Sequence, residues 1–169
     1  MKFLIFFTFF LITKMAFAEF FQDISNTIKN NKERLSYGIS VTDFNKDGQF
    51  EFIVTGFRYP NLALSYKKGY LENLINEEVF SDNLRSTIGV AACDIDNDGF
   101  EELYFLNTDT YSGRKQYSDR LLDSQTKIID LFEIEKNLKS LNLTAGRSVV
   151  CVDRNGVGTY GFYVANYGG

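Results

Sequence analysis

Apolar residues fall into three kinds of pattern along the chain, and each predicts a different element. Phe3 to Thr13 is an almost unbroken apolar run behind Lys2, closed by Ala16-Phe17-Ala18. A bilayer-crossing helix needs roughly twenty apolar residues, about twice this run. A basic start, an apolar middle and small residues at the end are the marks of a secretory signal peptide. We expect residues 1–18 to be that peptide and the protein to be secreted or periplasmic, with no membrane span after cleavage. Phe20, Phe21, Ile24 and Ile28 then recur at near-helical spacing, with Asp23, Asn26, Lys29 and Lys32 between them, which predicts a short helical lead-in over 19–35.

After Leu35 the helical period stops. Short alternating or continuous apolar runs replace it, such as Gly38-Ile39-Ser40-Val41, Phe50 to Val54 and Leu62-Ala63-Leu64, each bounded by Gly, Asn or Asp. That is the pattern of short strands joined by turns, and Lys67-Lys68-Gly69 reads as a hairpin tip. Phe50, Phe52, Tyr104, Phe105, Tyr160, Phe162 and Tyr163 are expected in the sheet core.

The strands belong to a repeat. Tyr37 to Gly56, Ile88 to Asn107 and Arg147 to Asn166 each run apolar strand, polar loop, apolar strand, and their leading residues Asp43, Asp94 and Asp153 lie 51 and 59 positions apart. A period of about fifty residues holding several strands is a propeller blade. The fold class is therefore all-β: a partial β-propeller of about three blades of antiparallel strands over 36–169, behind the short N-terminal helix and the signal peptide.

The polar loop carries the candidate chemistry. Asp43, Asn45 and Asp47 in the first copy, and Asp94, Asp96 and Asp98 in the second, stand at positions one, three and five, followed by Gly48 and Gly99. Their oxygens converge as the chain curls, and glycine permits the turn where a Cβ would clash. An EF-hand would close with an acid at position twelve, but Val54 and Phe105 stand there; Glu51 and Glu102 supply the acid at position nine, inside the next strand. An all-oxygen set of this irregular spacing suits Ca2+ better than magnesium. The third copy keeps Asp153, Asn155 and Gly158 but has Val157 and Gly161 where acids stand in the others, so it reads as a turn that lost its metal.

Composition narrows the alternatives. The chain has no His and two Cys, which removes His-dependent triads and Cys/His zinc sites. Eighteen basic residues against 22 acidic ones leave a net charge of −4, with no electrostatic footprint for nucleic acid. Cys93 and Cys151 stand one and two places before their leading Asp. Strand alternation aims them at opposite faces, which favours two unpaired buried thiols over the bridge that an oxidising compartment allows. Asn142-Leu143-Thr144 fits the N-glycosylation pattern.

The repeats resemble the FG-GAP/VCBS class of calcium-loop propeller repeats found in integrin α-subunits and many secreted bacterial proteins. They are most similar to the cartilage acidic protein and ASPIC/UnbV group. Phe21-Gln-Asp23-Ile24-Ser25 resembles the phrase that precedes the first blade in that group, and Arg120-Leu121-Leu122 and Gly146-Arg147 stand where blades connect. The resemblance implies calcium ligands at Asp43, Asn45, Asp47, Glu51, Asp94, Asp96, Asp98 and Glu102, joined by the carbonyls of Gln49 and Phe100. It implies a role in adhesion or recognition, toward an unknown protein or polysaccharide, and no catalysis. A propeller ring closes with four to eight blades. Three repeats are therefore expected to be the N-terminal part of a longer frame, its remaining blades completing the ring, or to close by self-association. Two other functions compete: a carboxylate-dependent hydrolase on the same scaffold, and a structural remnant without metal or activity. The segment from Asp109 to Ala145 is the candidate for variable contacts.

Overall fold

The computed structural model describes residues 21–168, so the expected signal peptide, 1–18, lies outside them. Among the described residues, ten strands form three antiparallel sheets. The first is the meander β1 (Ile39–Thr42), β2 (Glu51–Val54), β3 (Leu62–Lys67) and β4 (Tyr70–Asn73). The second is β5 (Thr87–Cys93), β6 (Glu102–Asn107), β7 (Arg120–Asp123) and β8 (Ile129–Asp130), and the third is β9 (Gly146–Val152) with β10 (Gly161–Asn166). Each sheet follows chain order, as antiparallel meanders do. The hairpin tip expected at Lys67-Lys68-Gly69 is there, with Lys68 and Gly69 both at positive φ. Innermost β5 lies beside β1 on one side and β9 on the other, so the sheets stack face to face as blades do.

The middle blade explains the continuous apolar run Leu103-Tyr104-Phe105-Leu106. All six residues of β6 are buried, because neighbours cover both of its faces. Leu103 and Phe105 look toward the first blade and pack with Ile53, Ala63, Phe44, Phe80, Val90 and Leu122. Tyr104 and Leu106 look the other way, onto Phe132, Val149, Phe162 and Val164. Phe80 comes from a single helical turn, α1 (Glu78–Ser81), and sits edge-on to Phe105 with ring centroids 5.6 Å apart. A fully buried phenylalanine of this kind contributes about 1.5–3 kcal/mol of transfer free energy.

The two end blades are covered on one face only. Ile39, Val41 and Phe52 on the first blade and Val150, Val152 and Tyr163 on the third are exposed, Tyr163 by 68%. The aromatic stripes expected in the core therefore divide: Tyr104 and Phe105 are buried and Phe162 half-buried, whereas Phe50, Phe52, Tyr160 and Tyr163 face outward. Alternation identifies a strand's faces, but which face has a neighbour depends on the blade's place in the row.

The lead-in differs from the amphipathic helix expected over 19–35. Its described part holds one 3-10 turn, Ser25–Thr27, and then runs irregularly along the first blade. Ile28 bridges Leu71 of β4 in parallel, the Lys29 N–H donates to the Leu71 carbonyl, and Asn30 takes a left-handed φ of 55°. The sheet edge offers these backbone groups partners that an isolated helix of this length lacks.

Cys93 and Cys151 form a disulfide, with Cα atoms 5.5 Å apart, which corrects the reading of two free thiols. Stacked blades present opposite faces to each other. Cys93 shares its face with Tyr104, toward the third blade, and Cys151 shares its face with Val149, toward the second. Opposite parity is thus what brings the two sulfurs together. The segment 109–145 is likewise no free loop. It contains β7, β8 and two 3-10 stretches, and the fully buried pair Lys115–Asp119 pins it. Tyr104 Oη and Asn142 Nδ2 both donate to Asp119 Oδ2. The amide nitrogen that a glycan would need at Asn142 is thus engaged in the fold.

Candidate metal centres

In the first loop the chain turns tightly because Lys46 and Gly48 both take positive φ, 57° and 84°. Side-chain oxygens then satisfy the backbone of the turn. Asp43 Oδ2 accepts from Gly48 N at 3.0 Å, Asn45 Oδ1 from Asp47 N at 3.0 Å, and Asp47 Oδ1 from Gln49 N at 2.9 Å. Glu51 opens β2 and is fully buried; its Oε2 accepts from Phe44 N at 3.1 Å. These bonds leave one oxygen of each end acid unused. Among the described residues three buried side-chain atoms lack a partner, Asp43 Oδ1, Glu51 Oε1 and Ser65 Oγ, and all three lie here. Ser65 follows the β2–β3 register one step beyond Phe52–Leu64, which puts its hydroxyl beside Glu51, where it offsets part of that acid's upward shift. A buried acceptor without a donor costs about 1–3 kcal/mol, more when charged.

The second loop repeats this geometry, with Asn97 and Gly99 at positive φ. Asp94 Oδ2 accepts from Gly99 N at 3.0 Å, Asp98 Oδ1 from Phe100 N at 2.8 Å, and Glu102 Oε2 from Ile95 N at 2.9 Å. Asp94, Asp96 and Glu102 bring carboxylate oxygens within 4.8 Å of one another. Burial, with the Asp96 charge adding to it, pushes the Glu102 carboxyl up to about 7. Glu51 is raised in the same direction, again by burial first and then by Asp47 and Asp43. An acid held this way needs either a proton or a cation.

Every expected side-chain ligand lies in its loop, but the structure sorts them. Asp98 stays outside the close carboxylate group, and its Oδ2 accepts from Gln125 Nε2 at 2.8 Å. Gln49 and Phe100 directly follow the glycines, and their N–H groups donate to Asp47 and Asp98. The third loop keeps the turn and uses its acid differently. Asp153 accepts backbone N–H bonds from Asn155, Gly156, Val157 and Gly158, and these, Gly158 foremost, hold its carboxyl below the ordinary range. Sequence spacing did not reveal Gln125 or Thr42, whose hydroxyl donates to Glu101 across the blade seam. Both act across distances of 27 and 59 residues, where no local motif reaches.

Comparison with known proteins agrees with this construction. Residues 22–105, which hold both acidic loops, match the FG-GAP-like repeat family. The chain belongs with the FG-GAP-like repeat proteins. It is 47% identical over 150 residues to cartilage acidic protein 1 of Xenopus tropicalis and 43% identical to cartilage acidic protein 1 of Homo sapiens. Each alignment covers 82% of this chain and 23% of the relative. The chain thus spans about a quarter of the length of these relatives. The matched residues run strand, acidic turn and strand twice.

Proposed function

We propose that this chain is an exported, calcium-stabilised binding or scaffold module and not an enzyme. The observation that carries the reading is the set of orphaned buried oxygens at the first loop, Asp43 Oδ1 and Glu51 Oε1. The carboxylate group of the second loop supports it independently. Asp43, Asn45, Asp47 and Glu51 would hold one ion, and Asp94, Asp96, Asp98 and Glu102 a second, with the carbonyls of Gln49 and Phe100 completing the sets. When bound, calcium supplies the positive charge that lets the buried Glu51 and Glu102 stay ionised beside the other acids of their loops. The remaining work belongs to the chain. Glu51 and Glu102, each the first residue of the next strand, tie that strand back to the loop through Phe44 N and Ile95 N, and Gly48 and Gly99 set the turn.

Export rests on Lys2, Phe3 to Thr13 and Ala16-Phe17-Ala18, and the Cys93–Cys151 bridge fits an oxidising compartment. No helix among the described residues is long and apolar enough to cross a membrane. The bare outer faces of the first and third blades fit packing against further blades, or against another copy. The stiffened blade ends would then present loops to a protein or polysaccharide partner. A carboxylate-dependent hydrolase is the second reading, and the raised Glu102 favours it. It ranks lower because the acid's neighbours are the other acids of one turn, so the cluster already has a use as a ligand set.

Thermal melting of the full chain with calcium and with chelator tests the proposal. Sites of extracellular-module affinity, about 10⁻⁴–10⁻³ M, gain on the order of 1 kcal/mol each at millimolar calcium. The expected result is a rise of several degrees. An unchanged melting temperature would leave a metal-free structural remnant as the better description.

A further inference from the structure

Successive blades share a loop design, yet the seam between the second and third differs from the seam between the first and second. The third loop's one acid is occupied by four backbone N–H groups. In its place the seam has a covalent link, Cys93 to Cys151. That link touches the frame of the second loop at both ends. Cys93 is the last residue of β5, immediately before Asp94, and its direct partner in the β5–β6 ladder is Glu102. The first and the last ligand of the loop therefore flank one half-cystine. Cys93 is itself 1% exposed, packed in the seam. The first loop has no covalent anchor; its ties to the second blade are non-covalent, from the Thr42 hydroxyl to Glu101, from the Ser124 hydroxyl to the Phe44 carbonyl, and from Lys46 over the Phe100 ring.

We infer that the Cys93–Cys151 bridge and the ion of the second loop are thermodynamically coupled, so that calcium protects the bridge from reduction and the bridge raises calcium affinity. The inference rests on the calcium reading above and adds a redox dependence to one of its two sites. Opening the bridge takes two electrons and two protons from a dithiol reductant, which leaves as a cyclic disulfide, and yields two thiols at Cys93 and Cys151. The released strand end would let Asp94 and Glu102 drift apart, and the ligand set would lose its preorganisation. A bound ion that holds those two residues together resists that step. By linkage both effects have the same factor.

The test is the equilibrium of the full oxidised chain with dithiothreitol, with and without millimolar calcium, followed by thiol counting. It is run on the native sequence, on Asp96→Asn to weaken the second loop, and on Glu51→Gln to weaken the first. Coupling predicts that calcium shifts the native equilibrium toward the bridged form by about fivefold or more. The shift survives Glu51→Gln and disappears in Asp96→Asn. Calorimetric titration of Cys93→Ser/Cys151→Ser should then give a weakened second site, by the same factor, beside an unchanged first site. Equal protection in both loop variants would overturn the coupling, because it would trace the effect to general stability. So would a second site of unaltered affinity in the double serine chain. Absence of calcium binding in the oxidised native chain would instead overturn the calcium reading itself.

Discussion

Replacing Glu102 by glutamine should stabilise the calcium-free protein and halve what calcium adds. The carboxyl is 1% exposed, and burial beside Asp96 raises it from 4.5 to about 7. In calcium-free protein the unfolded chain ionises this acid more easily than the folded one. Stability from it is full below about pH 4.5, falls as pH rises toward 7, and is absent above. The interval converts to about 3 kcal/mol at most. Glu102→Gln removes the cost and keeps an oxygen to accept from Ile95 N. The calcium-free variant should thus be more stable than native at pH 8, by about 2–3 kcal/mol, and nearly equal at pH 4. In millimolar calcium the variant loses the second site's contribution, on the order of 1 kcal/mol, and its calcium-induced gain should be half the native one. Urea unfolding at several pH values, with and without calcium, reads all of this. A pH profile unaltered by the substitution, or a variant with the full native calcium gain, would refute the reasoning.

Asp43→Ala should lower the melting temperature more in calcium than in chelator, because the bond from Gly48 N is lost in both while Oδ1 serves as a ligand only when an ion is there. Asp153→Ala should lower it equally in both conditions, since that carboxylate serves four backbone N–H groups; paired melts compare the two. Phe80→Ala should cost about 3–5 kcal/mol in denaturant unfolding, because its ring fills the seam between the first two blades. Lys115→Met should cost about 3–5 kcal/mol by leaving Asp119 buried without its cation.

The legible part of the fold was the part with a local signal. Asp-x-Asn-x-Asp-Gly and Asp-x-Asp-x-Asp-Gly fix their own turns through side-chain oxygens on nearby N–H groups, so Asp43, Asp94 and the flanking strands could be placed from spacing alone. Period-two alternation located strand faces, but packing against neighbours decides which face is covered, and that left Phe50 and Tyr163 misplaced. The cysteines failed for a related reason. Parity on a single strand says where a side chain points, while the bridge depends on two blades turning opposite faces to each other. Residues 21–35 have helical spacing, yet the edge of β4 captured their backbone. Gln125 and the Lys115–Asp119 pair depend on the tertiary path and have no sequence signature of their own.

The central claim is that two nine-residue turns each hold a calcium ion through carboxylates, one of them buried in each turn. Crystals grown in millimolar calcium test it most directly, by anomalous density. The account predicts a peak in the first loop within ligand distance of Asp43 Oδ1 and Glu51 Oε1, and another among Asp94, Asp96 and Glu102. Density in both places that refines only as water would contradict it.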